Sequence, residues 1–247
     1  MKRTLAAGSS SEEKDTKKVK SQPKIANQVP GLFLFENFIT TEEEKQLSNT
    51  IDKQPWNNEL SRRTQHYGYE YNYTSKSLEQ EDSSNVLTTP ELFKTLLEKI
   101  KEKCPNETKD LDFKQVIVNE YSQKQGISKH VDHCQAFGPV IVIVSLRETC
   151  VMKFHKLEAV DEDQLLKKQV KRKATGDVID VVLPRRSLVL MTGDARYQFQ
   201  HEIPKTVNFK IDSDKILDIQ KKQFTSSIKR GELYRRVSIT FRSINGL

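Results

Sequence analysis

From Phe113 onward the chain changes period. "FKQVIVNEY", "PVIVIVSL", "CVMKFH", "VIDVVL", "SLVLM" and "RRVSITFRSI" are short β-branched runs separated by turns, a pattern of strands rather than helices. Such runs, following two helical segments, predict an α+β chain whose body is an antiparallel sandwich or jelly roll. Ahead of them, "PGLFLFENFI" reads as a short strand. Thr41-Glu42-Glu43-Glu44 reads as a capping box opening a helix through Leu47 and Ile51. A second helix opens at Thr89-Pro90, with Pro at the first helical position, and turns Leu92, Phe93, Leu96, Leu97 and Ile100 inward until Pro105 stops it. Two polar stretches, 156 to 177 and about 205 to 232, interrupt the strands and read as surface excursions.

Residues 1 to 28 are rich in Lys, Ser and Glu and read as a disordered basic tail, leaving one domain over 29 to 247. "KKVK" at 17 to 20 is either a nuclear signal or a solvated charge run. No apolar run approaches the roughly 20 residues of a membrane helix, and the N-terminus lacks the apolar core of a secretory signal. The expectation is a monomer inside the cell, in nucleus or cytoplasm, with no membrane partner. Cys104, Cys134 and Cys150 form no CxxC pair, which fits reduced thiols and argues against a zinc finger or disulfide framework. The net charge of +7 permits a polyanionic partner without demonstrating one.

Chemistry concentrates in "SKHVDHCQ", residues 128 to 135. If this stretch is extended, His130 and Asp132 project to one side while Val131 points away. One imidazole and one carboxylate make two-thirds of a 2-His-1-carboxylate triad, which leaves iron positions open for a chelating co-substrate and oxygen. HxD alone is a weak signal. A third ligand must come from elsewhere, and His201, beyond "SLVLM" and "TGDAR", is placed to return to the same barrel mouth. His133 has the wrong strand parity, His155 ends a strand, and His66 belongs to a separate motif. In "RRVSITFR", Val237, Ile239 and Phe241 alternate with Arg236, Ser238, Thr240 and Arg242. Two readings stand open. The strand is an amphipathic edge with its polar face in water, or its arginine forks bind a dicarboxylate.

The set Asn119-Glu120-Tyr121, His130-Val131-Asp132, "VIVSL", "LPRRSLVLMTGDAR", His201 and Arg236 to Arg242 resembles the AlkB family of iron and 2-oxoglutarate dioxygenases, in the family's order and from about residue 30 to the end. The resemblance implies a double-stranded β-helix (jelly-roll) core with flanking N-terminal helices and Fe(II) on His130, Asp132 and His201. It also implies 2-oxoglutarate on Asn119, Tyr121, Arg236, Ser238 and Arg242, with Arg236 at the distal carboxylate. Molecular oxygen is then the oxidant, and the product is a hydroxylated or demethylated carbon. "RRTQHYGYEYNY", "LPRRSLVLMTG" and the Arg196-to-His201 spacing are similar to the tRNA wobble-uridine hydroxylase branch, whose RNA-recognition and methyltransferase modules do not fit in these 247 residues.

In "HYGYEYNY", Tyr67, Tyr69, Tyr71 and Tyr73 alternate with His, Gly, Glu and Asn. As an unbroken strand this groups four phenol rings on one face, either covering the core or stacking on an unpaired base. Arg62 and Arg63 just upstream suit phosphate contacts. The expected substrate is a modified base in nucleic acid, RNA (tRNA) ahead of duplex DNA. The alternative is a methylated protein such as a histone.

Overall fold

The computed structural model describes residues 24–25, 27–72, 77–80, 86–167 and 170–246. Its larger sheet runs, in spatial order, β1 (Lys24–Ile25), β2 (Leu32–Phe35), β12 (Leu188–Met191), β9 (Phe137–Leu146), β16 (Arg235–Ile244), β7 (Gln115–Ser122), β3 (Arg63–Tyr67) and β6 (Val86–Leu87). The smaller sheet runs β11 (Ala174–Leu183), β10 (Cys150–Leu157), β13 (Phe199–Ile203) and β8 (Ile127–His130). Apart from the β3–β6 pair, both sheets are antiparallel. Two ribbons stand beside them: β4 (Tyr69–Asn72) with β5 (Ser77–Gln80), and β14 (Asn208–Lys210) with β15 (Ser227–Lys229).

The larger sheet is the middle of three layers. On one face, Val116, Val118, Val142, Val144, Val237, Ile239 and Phe241 join Leu47 and Ile51 of helix α1 (Thr41–Asp52) and Phe93, Leu96 and Ile100 of helix α2 (Glu91–Lys103) in one apolar core. On the other face, Ile141 and Ile143 join Met152, Phe154, Val181, Phe199 and Ile203 of the smaller sheet in a second core. Strand β16 lies between β9 and β7, so it is central and not an edge. Its apolar side chains face the helices. Its polar ones therefore face the second sheet, and Arg236, Ser238, Thr240 and Arg242 are all buried. The expected solvent-facing alternative is ruled out at this strand.

Several boundaries shift from the sequence reading. The α1 capping box is formed by Thr40, whose hydroxyl accepts from the Glu43 N–H while the Glu43 carboxylate accepts from the Thr40 N–H. The expected box, one residue later, was displaced by the run of glutamates, which offers more than one partner at N3. Pro90 is the N-cap of α2 rather than its first helical residue. Pro105 stops α2 and also opens the short helix α3 (Pro105–Thr108).

The expected tail lies mostly outside the described residues, but its Lys24–Ile25 pair with β2, and Lys24 reaches Glu36 at 2.9 Å. The 205 to 232 stretch is more than a surface excursion. Phe209 and Ile216 close a third apolar cluster on Val151 and Val182, and buried Gln220 exchanges two hydrogen bonds with the Val182 backbone. The 156 to 177 stretch carries helix α4 (Glu162–Lys167), whose Leu165 is buried. In each case an apolar residue within a polar run pulls the segment onto the sandwich.

Candidate active site

The site lies between the two sheets, where β8 and β13 pair. His130 and His201 are direct cross-strand partners, with ring centroids 4.3 Å apart. Close approach of the two strands is permitted by Gly126, because a Cβ there would stand 2.1 Å from the Ile203 carbonyl oxygen. Strand β8 ends at His130, so Asp132 is not its i+2 strand neighbour as the sequence reading supposed. It sits in the loop that follows, and two arginines return it to the site. Arg196, in the short helix α5 (Gly193–Tyr197), donates to the carbonyls of Asp132 at 2.9 Å and of Gly138 and Phe137 at 3.2 Å. Arg242 Nη1 holds the Asp132 Oδ1 at 2.7 Å.

One ligand atom from each of His130, Asp132 and His201 lies within 4.8 Å of the others, a grouping that can hold a metal ion. His201 Nε2 is 3.6 Å from Asp132 Oδ2. The His130 Nδ1 faces the Ser128 carbonyl at 2.8 Å, so Nδ1–H donates there and Nε2 keeps its lone pair for a metal. Burial penalises the charged form of Asp132, but Arg242, then the two histidines and Arg196, outweigh it and hold the carboxyl well below the usual range. Burial, with His130 beside it, pushes His201 down to about 3 against the pull of Asp132. A neutral imidazole beside an ionised carboxylate is the protonation state that metal ligation requires.

Behind the triad the β16 register builds an inner pocket in rows. Arg236 is opposite Tyr121, Ser238 lies between Asn119 and Ser145, and Thr240 between Ile117 and Ile143. The Arg236 guanidinium lies 5.4 Å from the Tyr121 ring centroid and donates to Ser145 Oγ at 3.0 Å. Its Nε and Nη1 have no partner among the described residues, nor has the Nε of Arg242. Buried, unsatisfied donors on cations are costly, and they fit a carboxylate-bearing guest. The pocket therefore brings together all five residues expected to bind the co-substrate. Thr240, Ser145 and Arg196 join the site beyond the residues that the sequence points to. Thr240 shows in the alternation of "RRVSITFR", whereas the register that places Ser145 has no local signal.

Outside the triad opens a cleft of about 600 Å³. One wall comes from the 156 to 177 stretch, through Leu157, Leu165, Val170 and Arg172. That wall is fastened. The Gln135 amide donates to the Leu165 carbonyl, and Arg172 donates to the Tyr197 carbonyl at 2.6 Å and to Gln198 Oε1 at 2.8 Å.

The tyrosine row is not assembled here. Gly68, with φ of +73°, breaks the strand, and any Cβ there would meet the Lys114 carbonyl oxygen at 2.2 Å. Tyr67 is a core residue, 0% exposed and edge-on to Phe93 at 5.1 Å, which removes it from the expected substrate face. Tyr69 lines a different groove, with Phe93, Leu97 and Phe113. Tyr71 pairs with Leu78 through the backbone of β4 and β5, and Tyr73 lies outside the described residues. The two arginines also diverge. Arg63 is ion-paired to Glu120 at 2.6 Å and lies over Trp56 at 4.6 Å, so it already has a carboxylate partner. Arg62 lines both inner pocket and outer cleft.

A family model described as the 2OG-Fe(II) oxygenase superfamily matches residues 31–242. The chain belongs to that superfamily. Its members take Fe(II), 2-oxoglutarate and O₂, so the chain is a dioxygenase, an oxidoreductase. Among its relatives is the Arabidopsis thaliana "Alkylated DNA repair protein ALKBH8 homolog", 33% identical over 87% of this chain and 59% of that protein. The mouse "tRNA (carboxymethyluridine(34)-5-O)-methyltransferase ALKBH8" is 33% identical over 70% of this chain and 24% of its own length. The chain thus spans less than two thirds of either relative. The solved structure of OsALKBH1 superposes with a TM-score of 0.55 at 14% identity, over 90% of this chain and all of that one, and shares the jelly-roll fold. Among the described residues no helix is long and apolar enough to cross a membrane.

Proposed function

We propose that this oxygenase hydroxylates or demethylates a modified base in nucleic acid, RNA (tRNA) in preference to duplex DNA. The observation that carries the reading is the charge of the outer cleft. Among the described residues Lys129 and Arg172 line it, with Arg62 where it meets the inner pocket, and Asp132 is the one lining carboxylate. Arg172 is held by a carbonyl and an amide, both neutral, so its charge is uncompensated by its partners. A cationic cleft with apolar Leu157, Leu165 and Val170 in its wall suits a base with its backbone phosphate. The relatives' names, one referring to alkylated DNA and one to tRNA, support a nucleic-acid substrate.

In this reading His130, Asp132 and His201 hold Fe(II). Iron with 2-oxoglutarate and O₂ supplies the oxidising power to hydroxylate a C–H bond, with release of succinate and carbon dioxide. The protein's part is placement. Arg236 offers its fork to the distal carboxylate of 2-oxoglutarate, with Tyr121, Asn119 and Ser238 around it, and Arg242 serves the end nearer the metal. Arg196 holds the loop that carries Asp132, and Ile141, Ile143 and Met152 keep the inner pocket apolar between its charges.

The test is turnover of 2-oxoglutarate by the full chain with a tRNA anticodon stem-loop, single-stranded DNA and a methylated histone peptide, products being read by mass spectrometry. Oxidation of a base in the RNA, with succinate formed in proportion, is expected. Turnover on the methylated peptide alone would move the substrate to protein.

A further inference from the structure

Arg62 stands where the two cavities meet, and its bonds point inward. Its Nε donates to the Asn119 Oδ1 at 2.8 Å, and it lines the inner pocket together with Tyr121. The surrounding arginines are spoken for. Arg63 and Arg235 share the Glu120 carboxylate, and Arg235 and Arg147 share Asp52. Arg62, half-buried, has no carboxylate partner among the described residues. Within the inner pocket it joins Arg236 and Arg242, making three guanidiniums against one carboxylate, Asp132. Arg242 is paired with Asp132, which leaves Arg62 and Arg236 as cations without a carboxylate partner among the described residues.

We propose that Arg62 is a positioning residue for the co-substrate: it forms the outer wall of the 2-oxoglutarate pocket, orients the Asn119 amide, and adds a third cation there. This rests on the reading of the inner pocket as the 2-oxoglutarate site. It reassigns a residue whose sequence context pointed to substrate phosphate. The Arg62–Asn119 bond links β7 to the segment just before β3, on which Leu60 is 45% exposed at the cleft rim. Arg62 thereby touches both the co-substrate pocket and the cleft mouth.

The experiment compares the full chain with Arg62→Gln and Arg62→Lys. Calorimetry reads 2-oxoglutarate binding with Mn(II) in place of iron, at two salt concentrations, and a separate titration reads binding of a labelled anticodon stem-loop. Arg62→Gln is expected to weaken 2-oxoglutarate binding roughly tenfold or more and to flatten its salt dependence, as loss of a charge-assisted contact does. Arg62→Lys keeps the charge but not the fork and should recover part of the affinity. The thermal midpoint should stay near wild type in both. Unchanged 2-oxoglutarate affinity in both variants overturns the proposal, as does a loss confined to RNA binding, which would return Arg62 to the substrate. A wild-type protein that takes up no 2-oxoglutarate would instead overturn the pocket reading itself, and this inference with it.

Discussion

Arg236 and Arg242 leave the same face of the same strand, and their surroundings differ in one respect that matters. Arg242 is matched: its guanidinium holds Asp132 at 2.7 Å and lies 3.9 Å from the Phe137 ring centroid. Arg236, 0% exposed, has a hydroxyl and a phenol ring for company and two nitrogens without partners among the described residues. A buried cation without a counter-charge costs several kcal/mol. The molecule carries that cost at one end of the strand and avoids it at the other. One arginine is therefore part of a structural ion pair that also tunes a ligand. The other keeps buried donors free, which a carboxylate-bearing guest would satisfy.

The largest expected effect tests the matched end. Asp132→Ala strands Arg242 and should cost about 3–5 kcal/mol of stability, read by urea titration, while abolishing iron-dependent turnover of 2-oxoglutarate. A variant that keeps its stability would show that Arg242 finds another partner.

The next uses His66 as a reporter of that end. Burial, then Arg242 and Arg62, push its imidazole down to about 4. The unfolded chain takes up a proton near pH 6.5 and the folded one does not until about pH 4. Stability should therefore be full above pH 6.5 and fall through that window by about 3 kcal/mol. His66→Gln should remove this slope; its persistence would assign it to other groups.

At the unmatched end, Arg236→Lys keeps charge but loses the fork. It should raise the 2-oxoglutarate concentration needed for activity by about 2 kcal/mol, roughly thirtyfold, with little change in stability. Ser145→Ala removes only the hydroxyl that orients Arg236, so its cost should be about 1 kcal/mol, roughly fivefold in 2-oxoglutarate affinity. If the two variants fall in the reverse order, orientation counts for more than the fork.

The same strand shows what the sequence disclosed and what it withheld. Its alternation of Arg, Ser, Thr and Arg with Val, Ile and Phe was legible, because side chains on a strand change sides at every residue. Which side meets water was not, because that depends on β9 and β7 pairing to either flank and on the helices covering the apolar side. His130, Asp132 and His201 came as a set through family resemblance. Periodicity alone put Asp132 on a strand that ends before it. Tyr67 leaves the tyrosine row for the opposite reason: the period breaks at Gly68, where the backbone turns to positive φ and the count restarts. The cleft wall from 156 to 177 was hidden, since a run of charges gives no hint that Leu165 and Arg172 are pinned to segments flanking the triad.

The central place of β16 has a consequence for how this gene can change. A single codon gained or lost between Arg236 and Arg242 would turn part of the strand over, sending arginines toward the helices and valine or phenylalanine toward the site. Substitutions there can be graded, but a change of length cannot. The 156 to 177 segment follows the other rule. Its described residues are anchored at a few points, through Leu165 and Arg172, so a change of length elsewhere in the segment would reshape the cleft while the reacting centre stays as it is.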